Sequence, residues 1–429
     1  MGRMLTAADV EAAAKTGQPL AVAAGDRLTP LARDRAKELG VALQQDVAAK
    51  VPPAAPAPWS PRPAAAVPAP PAVAAPPASA TTTAGSGIPL VLPPSGAMYR
   101  RNALGPGAIR PDGRDPRPKA GVVGAGHVGA MAALRLAESD LFSEVTMVDV
   151  LPGLAEGLAL DMWHGAGLYG FSTRLAGSGD LAALAGAEYI IVTAGKPRQP
   201  GMSRTDLTAV NAGIMTTVAA AIRQHAPQAT LVVVSNPLEE MTHLAAELTG
   251  LPQERVLGMA GVLDSARFCS LVGLTGKVRP QQVQALALGS HGPEMVIPLS
   301  LATADGQPIE QVLDAKTLTT IVERTRDSGA EVVKLLQKGS AYFSPAESAA
   351  AMVRAMVRES GELIAACVRS RGAYGTVDTR VGLPVRLGRR GLKEIVNLPL
   401  RPEEAQALKE AAGRIAARIA ELTAPAKAA

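Results

Sequence analysis

The stretch LGSHGPEMV (288–296) sets His291 between a Ser-Gly pair and a proline. Imidazole is the side chain whose ordinary pKa lies nearest neutrality, so it is a natural general acid/base. To act as one it needs a carboxylate to orient it and cations to hold an anionic substrate. GMAGVLDSARF (258–268) supplies Asp264 and Arg267, three residues apart at the start of a helical pattern and on neighbouring faces. TAGKPRQPGMSRTDL (193–207) carries Arg198 and Arg204 in a Gly/Pro-rich loop, and VVVSNP (232–237) ends a strand with Asn236.

GVVGAGHVGA (121–130) adds a redox cofactor to that chemistry. Gly124, Gly126 and Gly129 follow a strand and open a helix. Gly124 permits the tight turn, Gly126 lets a pyrophosphate approach the backbone, and Gly129 allows close helix–strand packing. The helix N-terminus then faces the phosphates. EVTMVDV (144–150) is a second strand ending in Asp149, where a carboxylate accepts hydrogen bonds from ribose hydroxyls and repels a 2′-phosphate. That favours NAD over NADP. An acid, a histidine, several arginines and a dinucleotide site together meet the needs of hydride transfer to a carboxylate-bearing substrate.

The elements that must position these residues have three characters. Residues 1–45 read as a small α/β unit: LTAADVEAAAK has helical spacing, PLAVAAG is a short strand, and LTPLARDRAKELG is a second helix with Thr29 as N-cap, Pro30 at its first position and Gly40 at its end. Residues 46–118 form a linker, mostly Pro/Ala-rich, whose composition favours extended polyproline II over a core. From Lys119, continuous apolar strands (AGVVGAG, EVTMVDV, AEYIIVTAG, TLVVVSNP) alternate with helical patterns, as in parallel sheets covered on both faces. This predicts a doubly wound α/β domain over 119–260. A mixed α/β domain over 261–425 follows, with antiparallel-looking strands in QVQALALG, GLPVRLG and LKEIVNLPL and a closing helix, RPEEAQALKEAAGRIAARIAEL.

Composition removes other function classes. Aromatics make up only 3 %, too few for the stacking platforms of single-stranded nucleic-acid binding. Between Asp46 and Lys119 basic residues exceed acidic ones by the whole of the +5 net charge, so the rest of the chain has no basic excess to attract nucleic acid. Cys269 and Cys367 are isolated thiols in apolar settings without metal spacing, which suits a reducing compartment. No apolar run is read as approaching the ~20 residues needed to span a bilayer.

In order, GAGHVG, TAGKPRQPGMSR, VSNP, GMAGVLDSARF, GSHG, GSAYFSPA and VGLPVRLG resemble the motifs of the lactate/malate dehydrogenase family, over about seven tenths of the chain. The resemblance is strongest to the lactate-dehydrogenase-like malate dehydrogenases. It implies an NAD-binding Rossmann domain, a mixed α/β substrate domain, malate and oxaloacetate as substrates, a cytoplasmic homo-oligomer (dimer or tetramer) and a place in the tricarboxylic acid cycle. Carried over by residue, His291 exchanges the proton of the substrate hydroxyl and Asp264 holds its imidazole. Arg267 clamps the carboxylate beside the reacting carbon, Arg204 polarises the carbonyl, and Asn236 bonds the substrate near the nicotinamide. Asn211 lies on the cofactor side, and the loop bearing KPRQPGM closes over the bound pair. Arg198 stands where lactate dehydrogenases of the family carry a neutral residue, so it implies a second substrate carboxylate; lactate dehydrogenase is the alternative activity.

One departure touches the acid/base itself. The family pattern His-Gly-Asp is here His-Gly-Pro, and Ile297 interrupts the usual Met-Val-Pro-Leu. Pro293 removes a carboxylate and a backbone N–H beside His291 and biases Gly292 toward an extended conformation. An altered pKa or orientation of His291 is therefore expected, with Glu294 able to substitute in part. A protein that keeps NAD binding but has lost turnover is the alternative from another class. Residues 1–45 resemble N-terminal segments of bacterial-microcompartment enzymes and the first helix of peripheral-subunit-binding domains, which implies a docking module on a leash.

Overall fold

Lys119–Val123 (β1), apolar but for its first residue, pairs in parallel with Glu144–Val148 (β2) on one side and Tyr189–Val192 (β4) on the other, in a computed structural model that describes residues 4–23, 26–45, 115–196, 204–337 and 339–423. With Arg174–Ser178 (β3), Thr230–Val233 (β5) and Val256–Gly258 (β6), the parallel order is β3-β2-β1-β4-β5-β6. This is the doubly wound order that opens a crevice beyond the strand ends near β1 and β4. Every residue of β4 and β5 is buried, which is why they read as unbroken apolar runs. Each buried Val or Ile contributes about 1.5–3 kcal/mol relative to exposure.

His127–Glu138 (α1), Pro152–His164 (α2), Arg204–His225 (α3) and Leu238–Thr249 (α4) cover this half. By length and hydropathy α3 could cross a membrane, contrary to the expectation that no segment comes near that length. Its inner face instead joins the core: Met215, Val218 and Ile222 pack with Val123, Val192, Val233 and Met241.

The sheet does not stop at the boundary near residue 260. Gly258 of β6 lies opposite Cys367 of Leu363–Arg369, an antiparallel strand, which pairs along its length with Arg380–Gly388. Gly391–Ile395 and the short strands Leu288–Gly289 and Met295–Val296 complete an 11-stranded sheet. Gly261–Gly273 (α5), Ala315–Leu336 (α6), Phe343–Arg358 (α7) and Pro402–Thr423 (α8) are the long helices of the second half. α7 packs on α1, and α8 on α4.

Residues 1–90 form a separate unit, of which 4–23 and 26–45 are described. Helices Ala7–Thr16 and Pro30–Glu38 enclose Val10, Ala32 and Ala36. Thr29 caps the second helix, accepting from the Ala32 N–H at 3.2 Å, and Gly40 follows it at φ +65°. The sequence reading overlooked a duplication here. Met4 pairs with Arg27 and Leu20 with Leu43, in parallel, and Thr6 and Gly17 flank the first helix as Thr29 and Gly40 flank the second. Each pair is offset by the same 23 residues.

Candidate active site

The cofactor turn is built by steric demand. Gly124 has φ +99°, and a Cβ there would lie 2.7 Å from Thr193 Oγ1. At Gly129 it would lie 1.7 Å from the Gly124 carbonyl oxygen. At Gly126 it would meet nothing within 4 Å, so that face of the turn is open. Gly126 is also the N-cap of α1 and supplies no capping side chain, leaving the first N–H groups of the helix without a side-chain acceptor. Such a cradle fits a dinucleotide pyrophosphate. Asp149, just past β2, accepts from the Ala125 N–H at 2.7 Å and the Leu151 N–H at 3.0 Å. Its carboxylate therefore stands beside the turn. His127 is exposed, and its ring lies 5.0 Å from that of Tyr342.

The chemical groups converge from three elements. Asp264, in the first turn of α5, is 1 % exposed. Its Oδ2 lies 2.7 Å from His291 Nδ1, and its Oδ1 accepts from Arg267 Nη1 at 3.1 Å. Burial opposes a charge on the His291 ring, but the Asp264 carboxylate, with Glu239 adding to it, outweighs burial and holds the histidine pKa above its ordinary value. Since Nδ1 is occupied, Nε2 is the ring nitrogen left for a substrate oxygen.

Asn236 lies exposed three residues past the end of β5, and its carbonyl accepts from Asn211 Nδ2 at 2.6 Å. Asn211 is buried in α3, and its amide also accepts from the Lys196 N–H at 2.8 Å and donates to the Lys196 carbonyl at 3.2 Å. That amide is used to tie two chain segments together at the mouth of the crevice. Arg198 lies outside the described residues. Arg204 begins α3, but its side chain is likewise outside them.

Pro293 leaves the contact between His291 and Asp264 in place. The Met295 N–H donates to the Gly292 carbonyl at 3.1 Å, so Pro293 occupies the second position of a four-residue turn. There its fixed φ is favoured and no donor is required. His291 reaches Asp264 regardless. Glu294 does not take up a place beside the imidazole: its carboxylate accepts from Ser290 Oγ at 2.9 Å and pairs with Arg418 Nη1 at 3.3 Å.

The carboxylate that does meet the histidine backbone is Glu239, in the first turn of α4, whose Oε1 accepts from the His291 N–H at 2.6 Å. It is 3 % exposed, and burial raises its pKa against the effect of that hydrogen bond. The sequence signal for it was the acidic pair in NPLEEM, two charges opening a helix that is otherwise largely buried. Burial also lifts the Cys269 thiol to about 11 and raises that of Cys367, so neither is a nucleophile near neutrality.

Residues 118–258 match the family model for the lactate/malate dehydrogenase NAD binding domain, and 261–425 that for the lactate/malate dehydrogenase alpha/beta C-terminal domain. The chain is 42 % identical over 296 residues to a malate dehydrogenase of Trichormus variabilis, covering 69 % of this chain and 91 % of that protein. The malate dehydrogenase structure from Salinibacter ruber superposes with a TM-score of 0.68 at 37 % identity, over 71 % of this chain and 97 % of that one. A Cryptosporidium parvum lactate dehydrogenase, complexed with lactic acid and nicotinamide adenine dinucleotide, superposes with a TM-score of 0.68 at 30 % identity, over 72 % and 99 %.

Proposed function

Because the chain belongs to the lactate/malate dehydrogenase family, we propose that it is an NAD-dependent malate dehydrogenase, interconverting malate and oxaloacetate. The observation that carries the acid/base assignment is the chain Arg267–Asp264–His291, with contacts of 3.1 and 2.7 Å. The glycine turn and Asp149 would hold NADH, which would furnish the hydride for the substrate carbonyl carbon. His291 Nε2 gives the carbonyl oxygen its proton, and Asp264 stabilises the imidazolium that holds that proton beforehand. In the reverse direction His291 takes the hydroxyl proton. Arg267 clamps the carboxylate beside the reacting carbon with a planar fork that a lysine could not reproduce. Arg204 polarises the carbonyl, Asn236 bonds the substrate near the nicotinamide, and Arg198 pairs with the second carboxylate. Gly124, Gly126, Gly129, Asp149 and Asn211 form the cofactor side. NADH oxidation by the purified protein is expected to be fast with oxaloacetate and slow with pyruvate. The reverse preference would make it a lactate dehydrogenase, and NADH binding with neither turnover would make it a binding protein.

The same reading makes it a cytoplasmic homo-oligomer, dimer or tetramer, working in the tricarboxylic acid cycle. Supporting the assembly, Leu151, Leu160, Trp163 and Leu168 around α2 are 61 %, 54 %, 41 % and 86 % exposed, large apolar side chains that an interface would cover. Sedimentation equilibrium is expected to give a multimer, with Leu160→Glu and Leu168→Glu together releasing protomers; a monomeric native protein would refute the assembly. Two unpaired thiols fit a reducing compartment. Residues 1–45 we read as a docking module for a microcompartment or multienzyme partner. A chain lacking 1–114 should then keep its turnover in the same assay, and loss of turnover would instead make the module part of the catalytic body.

A further inference from the structure

We infer that Arg418, on the last helix, is a positioning residue for His291, holding the carboxylate that grips the histidine loop on both sides. The inference rests on the dehydrogenase reading only in taking His291 as the acid/base. Arg418 Nε lies 3.1 Å from Glu240 Oε1, and its Nη1 lies 3.3 Å from Glu294 Oε1. The other Glu294 oxygen accepts from Ser290 Oγ at 2.9 Å. Ser290 and Glu294 thus bracket His291, and one carboxylate links them. Glu240 adjoins Glu239, which takes the His291 N–H. The loop is therefore tied to the start of α4 twice, directly through Glu239 and indirectly through Arg418.

Charge explains why the bridge matters. Glu240 is 2 % exposed and Glu294 is part-buried, so both depend on nearby cations for stabilisation. Arg414 assists Glu294 from 3.7 Å, and Arg418 pairs with both carboxylates. Without it, two acids lose their shared counter-charge and the loop loses a tie to α4. His291 would then shift against Asp264. Among the described residues, the charged groups that face the imidazole are Asp264 and Arg267 from α5 and Glu239 from α4; Arg418 acts on it through the loop. A lysine, a point charge rather than a fork, satisfies one carboxylate at a time.

The test uses full-length protein carrying Arg418→Gln, Glu294→Gln, both together, or Arg418→Lys. Oxaloacetate reduction, NADH affinity by fluorescence, thermal midpoint and the His291 ring titration are measured. The ring is followed by carbon-13 histidine labelling, with its resonance assigned by loss in His291→Gln. Each single substitution is expected to lower kcat about tenfold, as misplacement of under an ångström does. KM and NADH affinity should stay within about twofold, because neither side chain touches a ligand. The double variant should be no worse than the worse single, since both break one link. Arg418→Lys should recover part of the loss, and the His291 titration should move down in Arg418→Gln as Asp264 recedes. Unchanged kcat and titration in the singles, or losses that multiply in the double, would overturn the inference. If the unmodified protein reduces no oxaloacetate, the dehydrogenase reading fails instead, and the ring titration alone decides: a downward shift supports positioning, no shift refutes it.

Discussion

Replacing His291 by glutamine is expected to cut oxaloacetate reduction by about 10²–10⁴-fold, the usual worth of a positioned general acid, while NADH binding is retained. Glutamine cannot hold a transferable proton at the Nε2 position, and the groups assigned to the dinucleotide, the glycine turn and Asp149, are left unchanged. Asp264→Asn should be damaging in a direction-dependent way. An amide turned to donate to Nδ1 stabilises the neutral ring with its proton on Nε2, which is a poor base for malate oxidation. The pH dependence follows from the same pair. Asp264 raises the pKa of His291, so the imidazolium persists above the ordinary histidine range. Oxaloacetate reduction, which needs that proton, should be fastest on the acid side and fall as pH rises through the raised pKa. Malate oxidation, which needs the neutral base, should rise through it. Profiles of kcat in both directions check this, and in Asp264→Asn both limbs should move to lower pH. Profiles that ignore residue 264 would remove His291 from the acid/base role.

Arg198→Gln is expected to lower kcat/KM for oxaloacetate by about 10²–10³-fold and to raise that for pyruvate, converting the substrate preference. A guanidinium paired with the second carboxylate in a water-poor site contributes about 3–4 kcal/mol of discrimination, and the same unpaired guanidinium disfavours a substrate lacking that charge. Glutamine removes both effects. If steady-state kinetics with both acids show the ratio unchanged, Arg198 is a solvated loop charge and discrimination lies elsewhere.

The parts of the site that were legible in the sequence are those encoded in contiguous strings. The glycine turn, Asp264 with Arg267, and His291 each announce themselves within a few residues, because one helix start or one loop must carry several groups at once. Strands β1, β2, β4 and β5 were legible because burial on both faces demands unbroken apolar runs. β3 (Arg174–Ser178) was not, since as the sheet's edge it contains Arg, Gly and Ser and buries only one residue fully. Leu363–Arg369 was hidden by its Ala-Ala pair, weak strand formers held in place by neighbours on both sides. Glu239 left only the faint trace of an acidic pair opening a buried helix, and Arg418 left none, because their roles are contacts with His291 and Glu294 across 52 and 124 residues of chain. Pro293 reads differently in the fold because its place in a four-residue turn, closed from the Met295 N–H to the Gly292 carbonyl, depends on the residues on either side of it rather than on the proline alone.

The duplicated N-terminal unit has a consequence for how it can exist at all. Among the described residues, neither 23-residue half pairs a strand within itself; Leu5 pairs across to the stretch holding Leu28, and Leu20 to that holding Leu43. The small interior is likewise shared, with Val10 from one helix set against Ala32 and Ala36 from the other. A half by itself is an open edge seeking its complement. The smallest folded form of this unit is thus a couple, and neither repeat can be removed without opening the edge and the interior of the other.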